Sequence, residues 1–118
     1  WQDLMDAGAI IANGTDAPVE DVDPIASYYS SVSRMMGNGE VLTPRQKMSR
    51  IEALKSYTIN NAYAGFEEDI KGSLEVGKLG DITVLDRDIL TIDENDIPNT
   101  EISYTIVGGK VMYSGSEN

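Results

Sequence analysis

The chain has 118 residues, of which 41% are hydrophobic and 25% charged, the balance of one folded domain. Twenty acidic against nine basic residues give a formal charge of −11, which repels phosphate backbones and anionic lipid, so we expect neither nucleic acid nor a membrane as a partner. Cysteine and histidine are absent, which excludes disulfides, thiolate sites and imidazole ligands and leaves only carboxylate and carbonyl oxygens to bind a metal.

The start of the chain bears on its location and completeness. The apolar run AGAIIA, residues 7–12, is too short to span a membrane and lacks the basic flank of a signal peptide, so we expect a cytoplasmic protein. A first residue of Trp1 rather than Met indicates a processed chain or a piece of a longer protein, and we favour the piece.

Residues 8–12, GAIIA, are apolar without alternation, which is typical of a strand buried on both faces of a parallel sheet. In the following NGTDAP, Gly14 permits an unusual backbone angle and Pro18 stops the strand. Asp16 then lies just past the strand end, where α/β enzymes place catalytic groups. The alternative is an Asx-turn closed by its side chain, and the residues alone favour that turn.

Two strong helix starts follow. Asp23 is a predicted N-cap before Pro24, and the helix is predicted to end at GNG, residues 37–39, with its apolar residues at helical spacing: Ile25, Tyr28, Tyr29, Val32 and Met36. In TPRQ, Thr43 is predicted to cap a second helix with Gln46 reaching back as in a capping box. Thr58 is predicted to cap a further short helix through residue 64.

The last part of the chain has the pattern of strands. DITVLD (81–86) alternates, and ISYTIV (102–107) and KVMY (110–113) flank Gly108-Gly109 as the arms of a two-residue hairpin. An acidic loop separates the first strand from the hairpin. The expected class is therefore α+β with a small antiparallel sheet.

Several candidate sites have simpler explanations. GSLEVGKL (72–79) resembles a P-loop, but Leu79 stands where Ser or Thr must hold magnesium and a strand follows instead of a helix, so we expect a turn. Counted from Asp86, an EF-hand would need Gly and Glu where Thr91 and Ile97 stand, so the acidic loop is expected to be solvated.

Among the helix residues, Arg34 could pair with an anion, although surface arginines usually face solvent. The helix tyrosines are expected to be packing residues: Tyr28, Tyr29, Tyr57 and Tyr63.

Six segments in one order resemble the C-terminal part of metal-dependent hydrolases of the amidohydrolase superfamily. They are NGTDAPV, DPI, LTPRQ, EALKSYTINNAYAGFEE, KGSLEVGKLGDITVLDRD and TIVGGKVMY. The branch they resemble is amidohydrolase family 3, which includes N-substituted formamide deformylases and proteins labelled exoenzyme regulators. Thr15 stands where Ser is usual, and Gly80 where Ala is common.

The resemblance implies a (β/α)8 barrel with a small β-sandwich domain. Residues 1–20 would be the final barrel strand and catalytic loop, residues 21–70 the C-terminal helices, and residues 71–118 the C-terminal share of a composite sandwich. This chain would then be about the last fifth of an enzyme.

The resemblance also implies a role for Asp16. In the family a divalent metal, usually zinc, activates water for attack on an amide or related C–N bond of a small molecule, and an aspartate after the last strand moves the proton. Asp16 matches that aspartate and is a candidate weak metal ligand. The family's histidine ligands lie upstream, so we expect no metal on this chain alone, no activity, and self-association through its exposed faces. The alternative is a non-catalytic regulatory or interaction module.

Overall fold

The computed structural model describes residues 1–115; the predicted division 71–118 therefore extends three residues beyond the described part. The four helices are α1 (Gln2–Asp6), α2 (Pro24–Ser33), α3 (Arg50–Tyr57) and α4 (Ile59–Ala64), and the strands are β1 (Ile82–Leu85), β2 (Ile102–Val107) and β3 (Lys110–Ser114). Short 3₁₀ turns occur at Pro44–Gln46 and Glu94–Asn99. The predicted α+β class is confirmed. Within residues 1–115, none of the helices has the length and apolar content that crossing a membrane requires.

Helix α2 begins where its caps predict and ends earlier than predicted. The Asp23 side chain accepts a hydrogen bond from the backbone N–H of Ile25 at 2.9 Å, and Pro24 occupies the first turn. The helix ends at Ser33 and not at residues 37–39, because Arg34 adopts a left-handed conformation with φ 56°. The chain then reverses, and a β-bridge joins Met35 to Val41.

Helix α3 begins later in the chain than the sequence predicts. Thr43 has φ 48° and forms no side-chain cap, and Pro44–Gln46 is only a 3₁₀ turn. The Gln46 side-chain oxygen instead accepts from the amino group of Trp1, at 2.6 Å. Helix α3 begins at Arg50, where Ser49 and Glu52 form a reciprocal capping box.

The short helix α4 is present as predicted, without the predicted cap. Thr58 precedes it, but the Thr58 hydroxyl donates to the carbonyl oxygen of Leu54 at 2.8 Å, in the helix before. The Thr58 hydroxyl therefore bonds to the end of α3 and does not cap α4.

Residues 8–12 are not a strand in this structure, although all five are described. The segment is also largely exposed and not buried, and 55% of the Ile10 surface is accessible. A strand requires a neighbouring strand for its hydrogen-bond ladder, and the described sheet lies elsewhere. The residues before it form α1, which the sequence pattern did not predict.

The sheet follows the predicted hairpin closely. Its order is β1-β2-β3, with all neighbours antiparallel, and Ile82 lies opposite Ile106. Gly108 and Gly109 have φ values of 57° and 75°, the positive angles that a two-residue hairpin turn needs at both positions. The Asp81 carboxylate accepts from the N–H of Gly108 at 2.8 Å and so ties the turn to the start of β1.

The hydrophobic core lies between α2, α3 and the loop after β1, not beneath the sheet. Ala53 and Ile97 are completely buried, and Tyr28 packs among them while its hydroxyl donates to the carbonyl oxygen of Arg50. The remaining buried members are Ile25, Val32, Met48 and Ile89. The acidic loop is therefore anchored by its apolar residues.

A glycine allows the chain after α4 to cross the helix at close range. A Cβ placed on Gly72, which has φ 91°, would lie 2.7 Å from Cβ of Ala62 and 3.0 Å from Cα of Ile59. Real carbon atoms do not approach so closely, and the Ile59 backbone cannot move aside without displacing α4. Gly77 has a similar φ of 99° with nothing within 4 Å.

These two glycines separate packing from backbone strain. Gly77→Ala should cost about 1–2 kcal/mol of unfolding free energy, from the unfavourable backbone angle alone. Gly72→Ala should cost a further 1–3 kcal/mol or so, because the same strain is joined by overpacking against α4. Urea unfolding of both variants measures the difference, and equal costs would show that the close contact relaxes freely.

The capping box makes a small part of the stability depend on pH. The Ser49 hydroxyl, followed by its backbone N–H, lowers the pKa of Glu52 from its usual 4.5. A carboxylate with a lowered folded-state pKa stabilises the fold above the unfolded pKa, and this contribution is lost as the pH falls through the folded-state pKa.

We therefore expect the stability advantage of the wild type over Glu52→Gln to shrink as the pH falls below about 4.5. Ser49→Ala should cost about 1 kcal/mol at pH 7 because it removes the cap of α3. Ser30→Ala is the matched control, since that exposed hydroxyl bonds only to a carbonyl within α2. Urea titrations at several pH values measure all three; an advantage that stays constant with pH would contradict the assignment.

Candidate functional site around the Asp16 turn

Asp16 lies in a tight turn and presents an uncommitted carboxylate. Its φ is 52°, a left-handed angle that aspartate tolerates better than most residues, and its backbone carbonyl accepts from the N–H of Val19 at 2.9 Å. Within residues 1–115 the Asp16 side chain has no hydrogen-bond or ion-pair partner, so the turn is not closed by the carboxylate as an Asx-turn would be. The following Ala17–Pro18 peptide bond is cis.

The segment leading into this turn is held mainly by side chains. The Asn60 amide donates to the carbonyl oxygen of Ile11, and the Asn61 amide donates to that of Asn13, both at 2.9 Å. The backbone N–H of Asn13 donates to the carbonyl oxygen of Ser56, also at 2.9 Å. We call these three bonds the amide clamp; they fix the two residues Ile11 and Asn13 to α3 and α4.

Asn13 is also tied to α2. Its side-chain amide donates to the hydroxyl of Ser31 at 2.9 Å, and its side-chain oxygen accepts from the N–H of Gly14 at 3.0 Å. Ser31 is buried and in turn donates to the carbonyl oxygen of Ser27. Three helices therefore converge on Asn13, three residues before Asp16.

The sequence analysis did not single out Asn60, Asn61 or Asn13. An asparagine pair in the first turn of a short helix looks like ordinary capping chemistry. Whether these side chains cap their own helix or bind a distant segment depends on which segment packs against α4. The sequence of α4 does not show which segment that is.

A cleft of about 400 Å³ opens beside the turn, against one face of α2. Its floor includes Asn13 and Gly14, its rim carries the acidic residues of the loop after Asp16, and Asp16, Pro18 and Val19 lie outside its lining. The Tyr57 hydroxyl is buried there without a hydrogen bond of good geometry. Burial raises the pKa of Tyr57, and the neighbouring hydroxyls of Ser27 and Ser31 oppose that rise.

Arg34 lines the same cleft without a carboxylate partner among the described residues. Its guanidinium lies over the Trp1 ring at 5.4 Å from the centroid, and its Nε donates to the carbonyl oxygen of Leu42.

The four helix tyrosines, which the sequence predicts to be packing residues, differ in their burial. Tyr28 is buried, Tyr29 and Tyr57 pack partly against the core, and Tyr63 is 52% exposed on α4.

Two carboxylates of the acidic loop serve local turns. Asp88 accepts from the N–H of Leu90 and the hydroxyl of Thr91, and Asp93 accepts from the N–H of Asn95. In the segment 72–79, Lys78 pairs with Glu75 in an exposed turn. These carboxylates and the lysine are therefore occupied as turn and cap partners.

The donor set does not suit a catalytic metal held by this chain alone. Residues 1–115 contain no group of three or more acidic side chains placed to share an ion. A catalytic zinc takes three protein ligands, and Asp16 supplies one carboxylate at most. A catalytic zinc would therefore need ligands other than the side chains of residues 1–115.

Comparison with known proteins identifies the family. Residues 1–113 match the model of the amidohydrolase family. An amidohydrolase structure from Thermotoga maritima superimposes with a TM-score of 0.73 over 96% of this chain and 25% of its own, at 20% sequence identity, which shows a shared fold.

Three named relatives are similar to nearly the whole of this chain. YtcJ of Bacillus subtilis, provisionally named an amidohydrolase, is 33% identical over 98% of this chain and 22% of its own length. The N-substituted formamide deformylase of Arthrobacter pascens is 31% identical over 93% of this chain and 20% of its own. The Arabidopsis thaliana Protein LONG AFTER FAR-RED 3 is 32% identical over 96% of this chain and 19% of its own.

The fold and the matches define a domain of hydrolase class. The chain belongs to the amidohydrolase family, as the sequence resemblance implied. It spans about one fifth of the length of these relatives. Members of the family are generally metal-dependent.

Proposed function

We propose that this chain is the C-terminal part of a metal-dependent hydrolase that cleaves carbon–nitrogen bonds of non-peptide amides or formamides. Residues 1–20 would carry the last barrel strand and catalytic loop, residues 21–70 the closing helices, and residues 71–118 a share of a sandwich domain. The proposal is supported by the family match over residues 1–113 and by the deformylase among the relatives.

Asp16 would act as the proton shuttle of that hydrolase. Its carboxylate would accept a proton from the attacking water and return it to the nitrogen of the leaving amine as the C–N bond breaks. The observation that carries this role is the free, exposed carboxylate at the end of a segment held by three helices. A divalent metal, usually zinc, would take its ligands from the rest of the longer protein, and this chain alone should be inactive.

Substitution in the full-length protein tests the shuttle. Asp16→Asn should lower kcat for hydrolysis of an N-substituted formamide at least about a hundredfold, because the amide cannot accept the proton. Circular dichroism should show an unchanged fold. Asp69→Asn is the matched control, as that carboxylate is exposed and makes no bond in the described residues.

Three results would contradict the proposal. The first is full activity of Asp16→Asn in the full-length protein, and the second is metal-dependent turnover by residues 1–118 alone. A lowered kcat in Asp69→Asn as well would show that loss of any charge is sufficient, which also contradicts a specific role.

The alternative, a regulatory or interaction module, differs in what precedes Trp1. The histidine-free composition favours it, since no imidazole is present to hold a metal. A continuous reading frame upstream with a barrel pattern and a His-x-His pair would support the hydrolase, whereas a start codon close to Trp1 would support the module.

We also propose that the isolated chain self-associates through β3. This strand lies at an edge of the described sheet, and Val111, Met112 and Tyr113 are 59%, 68% and 51% exposed. Such an apolar edge offers unpaired backbone groups and apolar surface to a second copy.

Sedimentation of the isolated chain tests this edge. The wild type should form dimers or larger species as its concentration rises, and Met112→Lys should remove them because it places a charge on the edge. Val76→Lys, at a fully exposed loop residue, adds the same charge elsewhere and should leave association unchanged. A monomeric wild type at high concentration would contradict the proposal.

A further inference from the structure

The amide clamp occupies positions that a β-ladder would ordinarily serve. Residues 8–13 have no strand partner in this structure, yet the carbonyl oxygens of Ile11 and Asn13 and the N–H of Asn13 are all bonded. Side-chain amides are suited to this task, because each NH₂ group donates to a carbonyl without requiring an extended neighbour.

The clamp acts close to the proton shuttle. The carbonyl of Asn13 belongs to the peptide unit that continues into Gly14, two residues before Asp16. The left-handed Asp16 follows after Thr15, with no hydrogen bond from its own side chain to hold it. The direction of the carboxylate therefore depends on the backbone before it and on the single backbone bond to Val19.

The geometry points to Asn60 and Asn61 as positioning residues: the first turn of α4 fixes the backbone at Ile11–Gly14 and thereby aims the Asp16 carboxylate. This inference rests on the proposed role of Asp16 for its catalytic part, but not for its structural part. Asn61 carries the larger effect because its acceptor lies nearer to Asp16.

The clamp itself can be tested without any activity. In the isolated chain, Asn61→Ala should raise the NMR hydrogen-exchange rates of the Asn13 and Gly14 amides about tenfold relative to the Ala53 amide, as expected for loss of one hydrogen bond. The Ala53 amide, bonded inside α3, serves as the reference for global unfolding. Asn95→Ala is the matched control, because its side-chain bond is local to Asp93.

Asn61→Asp provides a second variant of the same shape. Its ionised carboxylate cannot donate to the carbonyl of Asn13, so the local exchange should rise as in Asn61→Ala at pH 7 while the packing of α4 is retained. If the Asn13 and Gly14 amides change only in proportion to Ala53 in both variants, the clamp does not hold the segment, and the inference is wrong.

In the full-length enzyme the positioning role predicts a specific kinetic pattern. Asn61→Asp and Asn61→Ala should lower kcat about ten- to a hundredfold while KM changes less than twofold, because a misplaced catalytic group slows the chemical step and leaves substrate contacts intact. The control Asn95→Ala should leave both constants unchanged.

The two proposals fail in different ways. Faster exchange of the Asn13 and Gly14 amides in the Asn61 variants, together with an unchanged kcat, would overturn the positioning role, provided that Asp16→Asn is inactive. An active Asp16→Asn would overturn the shuttle, whatever the exchange rates show. A rise in KM with constant kcat would place the clamp in substrate binding and would also overturn the positioning role.

Discussion

Hydrogen bonds from helix side chains to the backbone of residues 11–13 are the constraint on which the site depends. Ile11 and Asn13 are only partly buried and the segment has no sheet neighbour, so a strand ladder does not fix its path. Asn60 and Asn61 provide the missing donors, and Ser31 receives the side chain of Asn13. Because each bond is individually modest, the position of the turn depends on all of them together.

The clamp can act only if α4 is itself held in place, and a distant contact does this. Helix α4 has six residues, too few to be stable by its own hydrogen bonds. Its buried Ala62 meets the chain again at Gly72, where the absence of a side chain permits direct contact. The geometry next to Asp16 thus depends on a residue more than fifty positions later in the chain.

The sequence predicted those elements whose signals are local. Asp23-Pro24 fixed the start of α2, and Gly108-Gly109 fixed the hairpin, since each acts through neighbouring backbone groups. Residues 8–12 were predicted as a buried strand and are exposed here, because strand identity belongs to a pair of segments. The helix predicted to start at Thr43 begins after Ser49 instead. Ser49 prevails because Glu52 returns its bond, whereas Gln46 is occupied by Trp1.

The difference between local signals and contacts of distant segments also applies to the candidate site. Asp16 could be identified from the sequence, whereas the side chains that hold the segment before it could not. Its position after an apolar segment and its match to a family motif are both linear features. The amides that hold its backbone come from nearly fifty residues away and carry no periodic signal. On the proposed function, residues 1–115 contribute a positioned base, and they contain no group of side chains that could hold the metal. Hydrolysis of the C–N bond would need both the base and a metal-activated water, so the catalytic unit would combine this turn with metal ligands from elsewhere in the longer protein.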